Sequence, residues 1–306
     1  LRVSDMDDGQ CRYSLICNAH GGVIDDVIVY RYSDHWLLVV NGANRQNVLA
    51  HIDASIGDLK VKVEDLTMKT AMVALQGPRV MEQIGRFSSE VPTLKRYRFC
   101  VKNLLILKLT ISRTGYTGED GVEVILPANM ADKALKLLYK DQSDDDGTAQ
   151  VMQPIGLGAR DTLRIEAGMP LYGHELTAEI DPLSAGLGFA VSLDKGEDDS
   201  TVGANERFIG QDALYEIAKA GPGRKLIGLK LTGKRTPRQG MGVTKGDQSI
   251  GHGTSGCLSP TLECPIAMAY VGTESCAEGD DVAIDFGSKQ ADAQVVPLPF
   301  YKRPKK

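Results

Sequence analysis

From residue 225 onward the chain is divided into short β-prone runs, and this pattern restricts the fold more than any other feature of the sequence. The runs cover residues 226–231, 266–271, 282–286 and 293–296, and stretches rich in Gly, Thr and Asp separate them. Short strands with turn-forming residues between them are typical of a small all-β unit. We therefore predict a C-terminal β-barrel or jelly-roll-like domain over residues 223–306.

The beginning of the chain has a different pattern, in which strands precede a helix. Apolar stretches over residues 13–17, 27–30 and 36–40 are separated by turn-forming residues. Helical spacing of apolar residues then begins near Asn44. The sequence thus predicts an antiparallel α/β domain over residues 1–66.

The middle of the chain, residues 67–222, also mixes the two kinds of element. An apolar stretch predicts a strand over residues 104–111, and helical spacing predicts helices over residues 131–139 and 158–166. We interpret residues 67–222 as a second α/β domain. The predicted fold class is therefore α+β, with several domains.

Charge and composition exclude several classes of function. The 306 residues contain 35 Lys and Arg against 40 Asp and Glu, a formal net charge of −5, and a nucleic-acid partner requires a basic face. The six cysteines form no Cys-x-x-Cys or Cys/His cluster, so we expect reduced thiols and no metal site. No apolar run approaches a membrane span, and the polar start of the sequence does not resemble a signal peptide. We expect a protein that is not secreted and binds neither nucleic acid nor membrane.

Two adjacent carboxylates, Asp25 and Asp26, lie inside an apolar extended run. Successive side chains of a strand point to opposite faces, so one of the two faces inward. An inward carboxylate is costly unless it is hydrogen-bonded or charge-paired. The pair therefore has two interpretations: a strand-end aspartate that binds nearby backbone, or a functional carboxylate.

Two further segments combine residue types that suit ligand binding. Residues 112–123 contain three glycines and three acids around Tyr116, and glycine allows the backbone to approach a ligand closely. Arg160 lies near the start of the predicted helix at 158–166, where the helix dipole disfavours a cation, and Arg164 follows on the same face. A decorated loop and a buried Arg–Asp pair are the structural alternatives.

Two other patterns are rejected as sites. Residues 251–256 match Gly-x-Gly-x-x-Gly, but Pro260 interrupts the helix that a dinucleotide site needs, so we predict a tight turn between strands. His174 and Glu175 have no second pair of ligands at a suitable spacing for a metal. We expect His174 to be a surface or packing residue.

Taken together, the segments resemble the glycine cleavage system T-protein family over most of the chain. The segments that carry the resemblance are, in chain order, Gly-Gly-Val-Ile-Asp-Asp at 21–26, Ala-Leu-Gln-Gly-Pro at 74–78, Arg-Thr-Gly-Tyr-Thr-Gly-Glu-Asp-Gly at 113–121, Gly-Ala-Arg-Asp-Thr-Leu-Arg at 158–164, Glu-Ala-Gly at 166–168, Leu-Tyr-Gly at 171–173, Phe-Ile-Gly at 208–210, Thr-Ser-Gly at 254–256 and Pro-Phe-Tyr at 299–301. One such match would be weak, whereas this many in order are specific.

The resemblance implies a fold and a reaction. The fold is a three-domain cloverleaf of antiparallel α/β, ferredoxin-like units with a C-terminal barrel, and tetrahydrofolate binds as co-substrate where the domains meet. The implied enzyme is an aminomethyltransferase, which takes an aminomethyl group from the lipoyl arm of a partner, the H-protein. The products are 5,10-methylenetetrahydrofolate, ammonia and the dihydrolipoyl carrier.

The resemblance also implies roles for particular residues. The second aspartate of the Gly-Gly-x-x-Asp-Asp segment is the key carboxylate, and it corresponds to Asp26. The pterin-binding glutamate corresponds to Glu123, the Arg of the Gly-x-x-Ala-Arg-Asp pattern to Arg160, and a C-terminal folate-contacting tyrosine to Tyr301. Tyr116, the aromatic residue of the glycine-rich segment, is predicted to contact the folate as well.

Two alternatives on the same scaffold remain open at this point. One is a folate-dependent demethylase, and the other is a non-catalytic folate-binding protein, whose Lys-Gly-Cys-Tyr-type signature does not match residues 169–173. Family members usually begin several tens of residues earlier, so we expect part of the α/β region to lie upstream of the printed sequence. The expected location is the mitochondrial matrix in a eukaryote or the cytoplasm in a bacterium.

Overall fold

The structure is a computed structural model that describes residues 2–104, 107–139, 152–194 and 207–304. It contains a three-stranded sheet, a four-stranded sheet and a closed six-stranded barrel. The elements of the α/β part are β1 (Gln10–Cys17), β2 (Val23–Arg31), β3 (Trp36–Val39), α1 (Arg45–Ile56), β4 (Thr70–Gln76), α2 (Val80–Gly85), β5 (Phe99–Leu104), β6 (Leu107–Ser112), β7 (Gly121–Pro127), α3 (Ala131–Tyr139), α4 (Leu157–Glu166) and α5 (Gln211–Ala220). The barrel strands are β8 (Arg224–Leu231), β9 (Gly242–Lys245), β10 (Gln248–Ser259), β11 (Cys264–Gly272), β12 (Asp281–Asp285) and β13 (Gln290–Val296).

The first sheet is antiparallel in the order β1-β2-β3. Successive side chains of β2 point to opposite faces, so Val27 and Val29 pack into one buried cluster with Met6, while Tyr30 joins a second cluster from the opposite face. The helix predicted after Asn44 is present as α1. The carboxylates of Asp25 and Asp26 continue the same alternation and point to different faces.

The second sheet is antiparallel in the order β4-β7-β6-β5. The single strand predicted over residues 104–111 is wrong, because β5 and β6 form a hairpin with Leu104 paired to Leu107. The apolar run continues through both arms of this hairpin, and alternation cannot locate a turn inside it. In detail the order departs from that of a ferredoxin-like unit, whose first strand lies in the interior. Here β4 lies at one end of the sheet because β5, β6 and β7 form a continuous meander.

The C-terminal barrel closes in the order β10-β11-β8-β13-β12-β9. The tight turn predicted at residues 251–256 is wrong, since this segment lies inside β10, where a bulge separates Gly253 from Ser255. Glycine is needed there for close strand packing: a Cβ on Gly251 would lie 1.9 Å from the Tyr270 carbonyl oxygen. The α+β class with a C-terminal barrel is thus confirmed.

Buried contacts at the start of β2 join the first sheet to the barrel, and the contact of Tyr30 with Phe99 joins it to the second sheet. Val23, Leu176 and Tyr270 belong to one apolar cluster, which joins the first sheet, a connecting loop and the barrel. Helix α4 packs on the barrel through Ile165, which contacts Met268. Each predicted domain range, 1–66, 67–222 and 223–306, contains one sheet, and the boundaries stay predictions.

Within the described ranges, no helix has the length and apolar character needed to cross a membrane.

Candidate active site

The two adjacent aspartates of β2 have different surroundings. Asp25 is completely buried, whereas Asp26 is half-buried and lies on the face of the sheet that also carries Tyr13. The Tyr13 hydroxyl donates a hydrogen bond of 3.1 Å to Oδ2 of Asp26. The predicted alternation is therefore correct, and Asp26 is the more exposed carboxylate of the pair.

Asp25 fits the structural interpretation of the pair. Its carboxylate accepts a hydrogen bond from the backbone N–H of Asn41 at 3.0 Å, and its second oxygen accepts from the side-chain amides of Asn41 and Asn44 at 2.8 and 2.9 Å. The Asn41 amide also donates to Oδ1 of Asp26 at 2.7 Å. The two aspartates are therefore linked through a single side-chain amide.

Burial raises the pKa of Asp26 above its ordinary value of 3.8. The hydrogen bonds from Asn41 and Tyr13 favour the ionised form and oppose this shift, and the charge of Asp25 adds to it. Burial also raises the pKa of the Tyr13 phenol, so Tyr13 acts as a neutral hydrogen-bond donor. Asp26 is thus a carboxylate whose proton affinity is increased by its surroundings.

The glycine-rich segment at 112–123 forms a loop around the side chain of Gln76. A Cβ on Gly115 would lie 1.8 Å from Oε1 of Gln76, and one on Gly121 would lie 2.3 Å from its Nε2. At Gly115 and Gly121 the close neighbour is therefore part of the protein, which matches the structural alternative of a decorated loop. The Gln76 amide donates to the backbone carbonyl of Thr114, which ties the loop to β4.

Glu123, Arg160 and Tyr116 meet beside this loop. The Glu123 side chain is 11% exposed and accepts a hydrogen bond of 2.7 Å from Thr114. The Arg160 guanidinium has a nitrogen 3.8 Å from the Glu123 carboxylate and lies 5.3 Å from the centroid of the Tyr116 ring. These three predicted site residues are therefore neighbours, and the charge of Asp26 reaches Tyr116.

Tyr301, the fifth predicted site residue, lies against another part of the same loop. Its hydroxyl donates to Glu119 at 2.5 Å, and its backbone N–H donates to the Glu166 carbonyl. Among the described residues, no hydrogen bond joins Tyr301 to Asp26, Glu123 or Arg160. The structure thus places Tyr301 on the rim of the group that the other four residues form.

Arg164 and His174 have structural surroundings. Arg164 is 1% exposed and forms an ion pair of 2.8 Å with the buried Glu175, which matches the structural alternative for this helix. His174 shares a hydrogen bond of 2.9 Å with the Thr254 carbonyl, as a packing residue would. In the part of the chain that the structure describes, no group of His, Cys, Asp and Glu has the arrangement of a metal site.

Sequence reasoning missed three residues of this site, Tyr13, Asn41 and Tyr97, and it also missed Asn44, which supports the buried Asp25 outside the site. Tyr97 is 46% exposed, has a positive φ of 57°, and is close enough to Tyr13 for their charges to interact. A positive φ is costly for an aromatic residue and often marks a functional position. The Asn-x-x-Asn spacing at 41–44 was a usable signal, since two amides at a helix start can reach the preceding strand. No signal in the sequence indicated the backbone of Tyr97.

Two family models match most of the chain. The GCVT N-terminal domain matches residues 1–195, and the glycine cleavage T-protein C-terminal barrel domain matches residues 224–302. The chain belongs to the glycine cleavage T-protein family. The family predicted from the sequence motifs is therefore confirmed.

Individual relatives agree with this assignment. An aminomethyltransferase of Rubrobacter xylanophilus is 42% identical over 98% of this chain and 76% of its own length. One of Caldanaerobacter subterraneus is 38% identical over 98% of this chain and 77% of its own length. The crystal structure of glycine cleavage system aminomethyltransferase T from Bartonella henselae aligns with a TM-score of 0.85 at 30% identity, covering 97% of this chain and 78% of that one. The predicted enzyme class, aminomethyltransferase, is thus confirmed.

Proposed function

We propose that this enzyme transfers the aminomethyl group from a lipoylated H-protein to tetrahydrofolate at a site centred on Asp26. The observation that carries the proposal is the position of Asp26, a half-buried carboxylate held by Tyr13 and Asn41 on the face of β2 that looks toward Tyr116. The products are 5,10-methylenetetrahydrofolate, ammonia and the dihydrolipoyl H-protein.

The chemistry requires a carboxylate near the reacting nitrogen. The methylene carbon loses its bonds to sulfur and to the amine nitrogen and gains bonds to N5 and N10 of the folate. Those two nitrogens lose one hydrogen each, of which one goes to the sulfur and one to the departing amine. Positive charge develops on the methylene as the amine leaves. A fixed carboxylate such as Asp26 orients the N5 hydrogen and stabilises this charge in a site with little water.

Glu123 and Arg160 suit the recognition of the folate itself. Thr114 donates to one oxygen of Glu123, and Arg160 is beyond hydrogen-bond distance of the other, so that oxygen can accept from the amine and amide edge of a pterin. Because Arg160 lies 3.8 Å from Glu123, it would meet the same end of the folate, where its guanidinium can donate to the pterin carbonyl oxygen. The rings of Tyr116 and Tyr97 offer aromatic faces for a planar ligand, and Tyr301 contributes from the rim.

A comparison of Asp26→Asn with the wild type tests the proposal. We expect the variant to bind tetrahydrofolate with a similar Kd by calorimetry, because most of the proposed folate contacts are made by Glu123, Arg160 and the tyrosine rings. Turnover, measured as methylenetetrahydrofolate formed from loaded H-protein, should fall by roughly 10²- to 10⁴-fold, the usual contribution of a positioned acid–base group. Unreduced turnover in Asp26→Asn would contradict the central role of Asp26.

The same assay separates the two alternatives on this scaffold. A folate-dependent demethylase would form a one-carbon folate from a methylated amine or thioether without H-protein. A non-catalytic folate-binding protein would form none from either donor. The names of the relatives favour the aminomethyltransferase, and wild-type turnover that depends on loaded H-protein is the expected result.

A further inference from the structure

Asp25, the buried neighbour of Asp26, has surroundings that only a carboxylate satisfies. Three N–H groups converge on it: two on Oδ1, from the amides of Asn41 and Asn44, and one on Oδ2, from the backbone of Asn41. A carboxylate accepts at both oxygens, whereas an asparagine would turn its own NH₂ toward at least one of these donors. The three donors are neutral amides, so hydrogen bonds alone stabilise a group that is 0% exposed.

The Asn41 amide transmits this arrangement to the reactive carboxylate. Its nitrogen lies 2.8 Å from Oδ1 of Asp25 and 2.7 Å from Oδ1 of Asp26. The same nitrogen lies 3.2 Å from the backbone carbonyl oxygen of Asp26. Because all three neighbours are acceptors, the NH₂ end of the amide must face them, so one hydrogen serves Asp25 and the other serves Asp26. The orientation of the hydrogen that reaches Asp26 is therefore set by the bond to Asp25.

We propose that Asp25 is a positioning residue of the transfer reaction, which holds the Asn41 amide so that its second N–H fixes the Asp26 carboxylate toward the substrate. This inference rests on the proposed function, in which Asp26 acts on the substrate and Asp25 does not. Asp25 lies on the opposite face of β2, and it acts on Asp26 through the Asn41 amide and through its charge. A displacement of about 1 Å in a positioned group can reduce turnover by roughly 10²-fold.

Asp25→Asn and Asn44→Ala form a matched pair for the test. Both remove a buried hydrogen bond at Asp25, but Asn44 makes no hydrogen bond to Asp26 or to the Asn41 side chain among the described residues. We expect Asp25→Asn to lose about 10²-fold in kcat with an unchanged Kd for tetrahydrofolate. Asn44→Ala should lower the unfolding temperature yet keep most of the wild-type turnover. Loss of turnover in proportion to the loss of unfolding temperature in both variants would overturn the positioning role.

A measurement without turnover keeps the inference testable if Asp25→Asn does not fold. The side-chain NH₂ signals of Asn41 in the wild type, identified by their loss in Asn41→Ser, should shift with pH as Asp26 titrates. Tyr13, Tyr116 and Tyr172 also interact with Asp26 and stay neutral through the acidic range because burial raises their pKa values. Asp25 also interacts with Asp26 and accepts from the same amide, so the titration is repeated in Asp26→Asn, where the shift that comes from Asp26 should be lost. Asn41 signals that do not respond to pH would contradict the bridge.

The wild-type control distinguishes a failure of the proposed function from a failure of the positioning role of Asp25. If the wild type forms no methylenetetrahydrofolate from loaded H-protein, the proposed function fails, and the NMR result still decides whether the bridge exists. If the wild type is active and Asp25→Asn is equally active, the positioning role alone fails. If Asp25→Asn has both a lower kcat and a higher Kd for tetrahydrofolate, Asp25 supports the whole binding site and is not a positioning residue.

Discussion

At the scale of single residues, the site depends on Asp26, a carboxylate whose pKa is raised by burial. Burial removes water from the Asp26 carboxylate, and its two hydrogen bonds from Tyr13 and Asn41 compensate only partly for this loss of hydration. Such a cost is expected where a charge is kept available for a substrate. Substitution of Asp26 tests the raised pKa, and substitution of Glu123 tests its contact with the pterin.

Replacement of Asp26 by asparagine should stabilise the protein more at neutral than at acidic pH. The folded-state pKa of Asp26 is raised above its ordinary value of 3.8, so between the two values the folded state binds more protons than the unfolded state. The stability of the wild type therefore falls as pH rises through this window, and Asp26→Asn does not show that loss. Thermal unfolding at pH 4.5 and 7.5 should show a larger advantage for the variant at the higher pH, and an advantage that shrinks would contradict the raised pKa.

Replacement of Glu123 by alanine should weaken tetrahydrofolate binding. A hydrogen bond to a charged group contributes about 1.5–3 kcal/mol, so we expect a Kd higher by roughly 10- to 100-fold. Calorimetry measures this directly, and Asp26→Asn serves as the control that keeps its affinity. An unchanged Kd in Glu123→Ala would show that the pterin binds elsewhere.

At the scale of elements, several glycines lie where a neighbouring protein atom occupies the space that a Cβ would need. In β10, Gly251 faces the backbone of Tyr270, and beside β4 the glycines of the site loop enclose Gln76. Residues at such close approaches cannot carry a side chain unless the strands or the loop move apart. In this chain these glycines are therefore needed for close packing of protein atoms, although their spacing resembles that of ligand-binding motifs.

The barrel offers a controlled test of this interpretation. Gly251→Ala would place a Cβ 1.9 Å from a backbone oxygen, and overpacking of this kind costs about 1–3 kcal/mol of unfolding free energy. Gly242→Ala in β9 is the control, since the nearest atom is 3.9 Å away, and we expect a change within about 0.5 kcal/mol. Urea unfolding of the two variants measures both effects, and equal losses would contradict the packing argument.

At the scale of the whole molecule, the site exists because separate parts of the chain are held against each other. The buried pair of Arg164 and Glu175 is central to this, since Arg164 also bonds to Ser255 of the barrel and to Asp161 of its own helix. The pair thereby connects α4, the segment after it and β10. Tyr116 and Arg160 are neighbours of this connection.

Removal of Arg164 should lower the free energy of unfolding, because Arg164 connects α4, the segment after it and β10. Arg164→Met leaves the Glu175 carboxylate buried without its partner, and breaking a buried pair costs about 3–5 kcal/mol. Lys69→Met, which removes an exposed pair with Glu64, is the control and should lose only a small fraction of that. Chemical unfolding measures the difference, and a similar small loss in both variants would show that the Arg164 pair does not hold the parts together.

The candidate site was predictable to different degrees at different residues. Asp26, Glu123 and Arg160 could be named because each stands in a short motif that resembles one of the T-protein family, and Tyr116 stands in the same loop as Glu123. Their roles stay predictions until the variants are measured. Tyr13 and Tyr97 could not be named, since nothing local distinguishes a tyrosine that meets Asp26 from one that packs in a core.

By itself, the sequence determined the family, the α+β class, the C-terminal barrel and the alternation that separates Asp25 from Asp26. These properties depend on local periodicity and on motifs of neighbouring residues. Only the tertiary structure decided which aspartate is buried, what the glycines enclose and how Asn41 links the two carboxylates. Those features depend on contacts between residues far apart in the chain, such as Asn41 with Asp25 or Gly251 with Tyr270, and a local pattern carries no information about such distances.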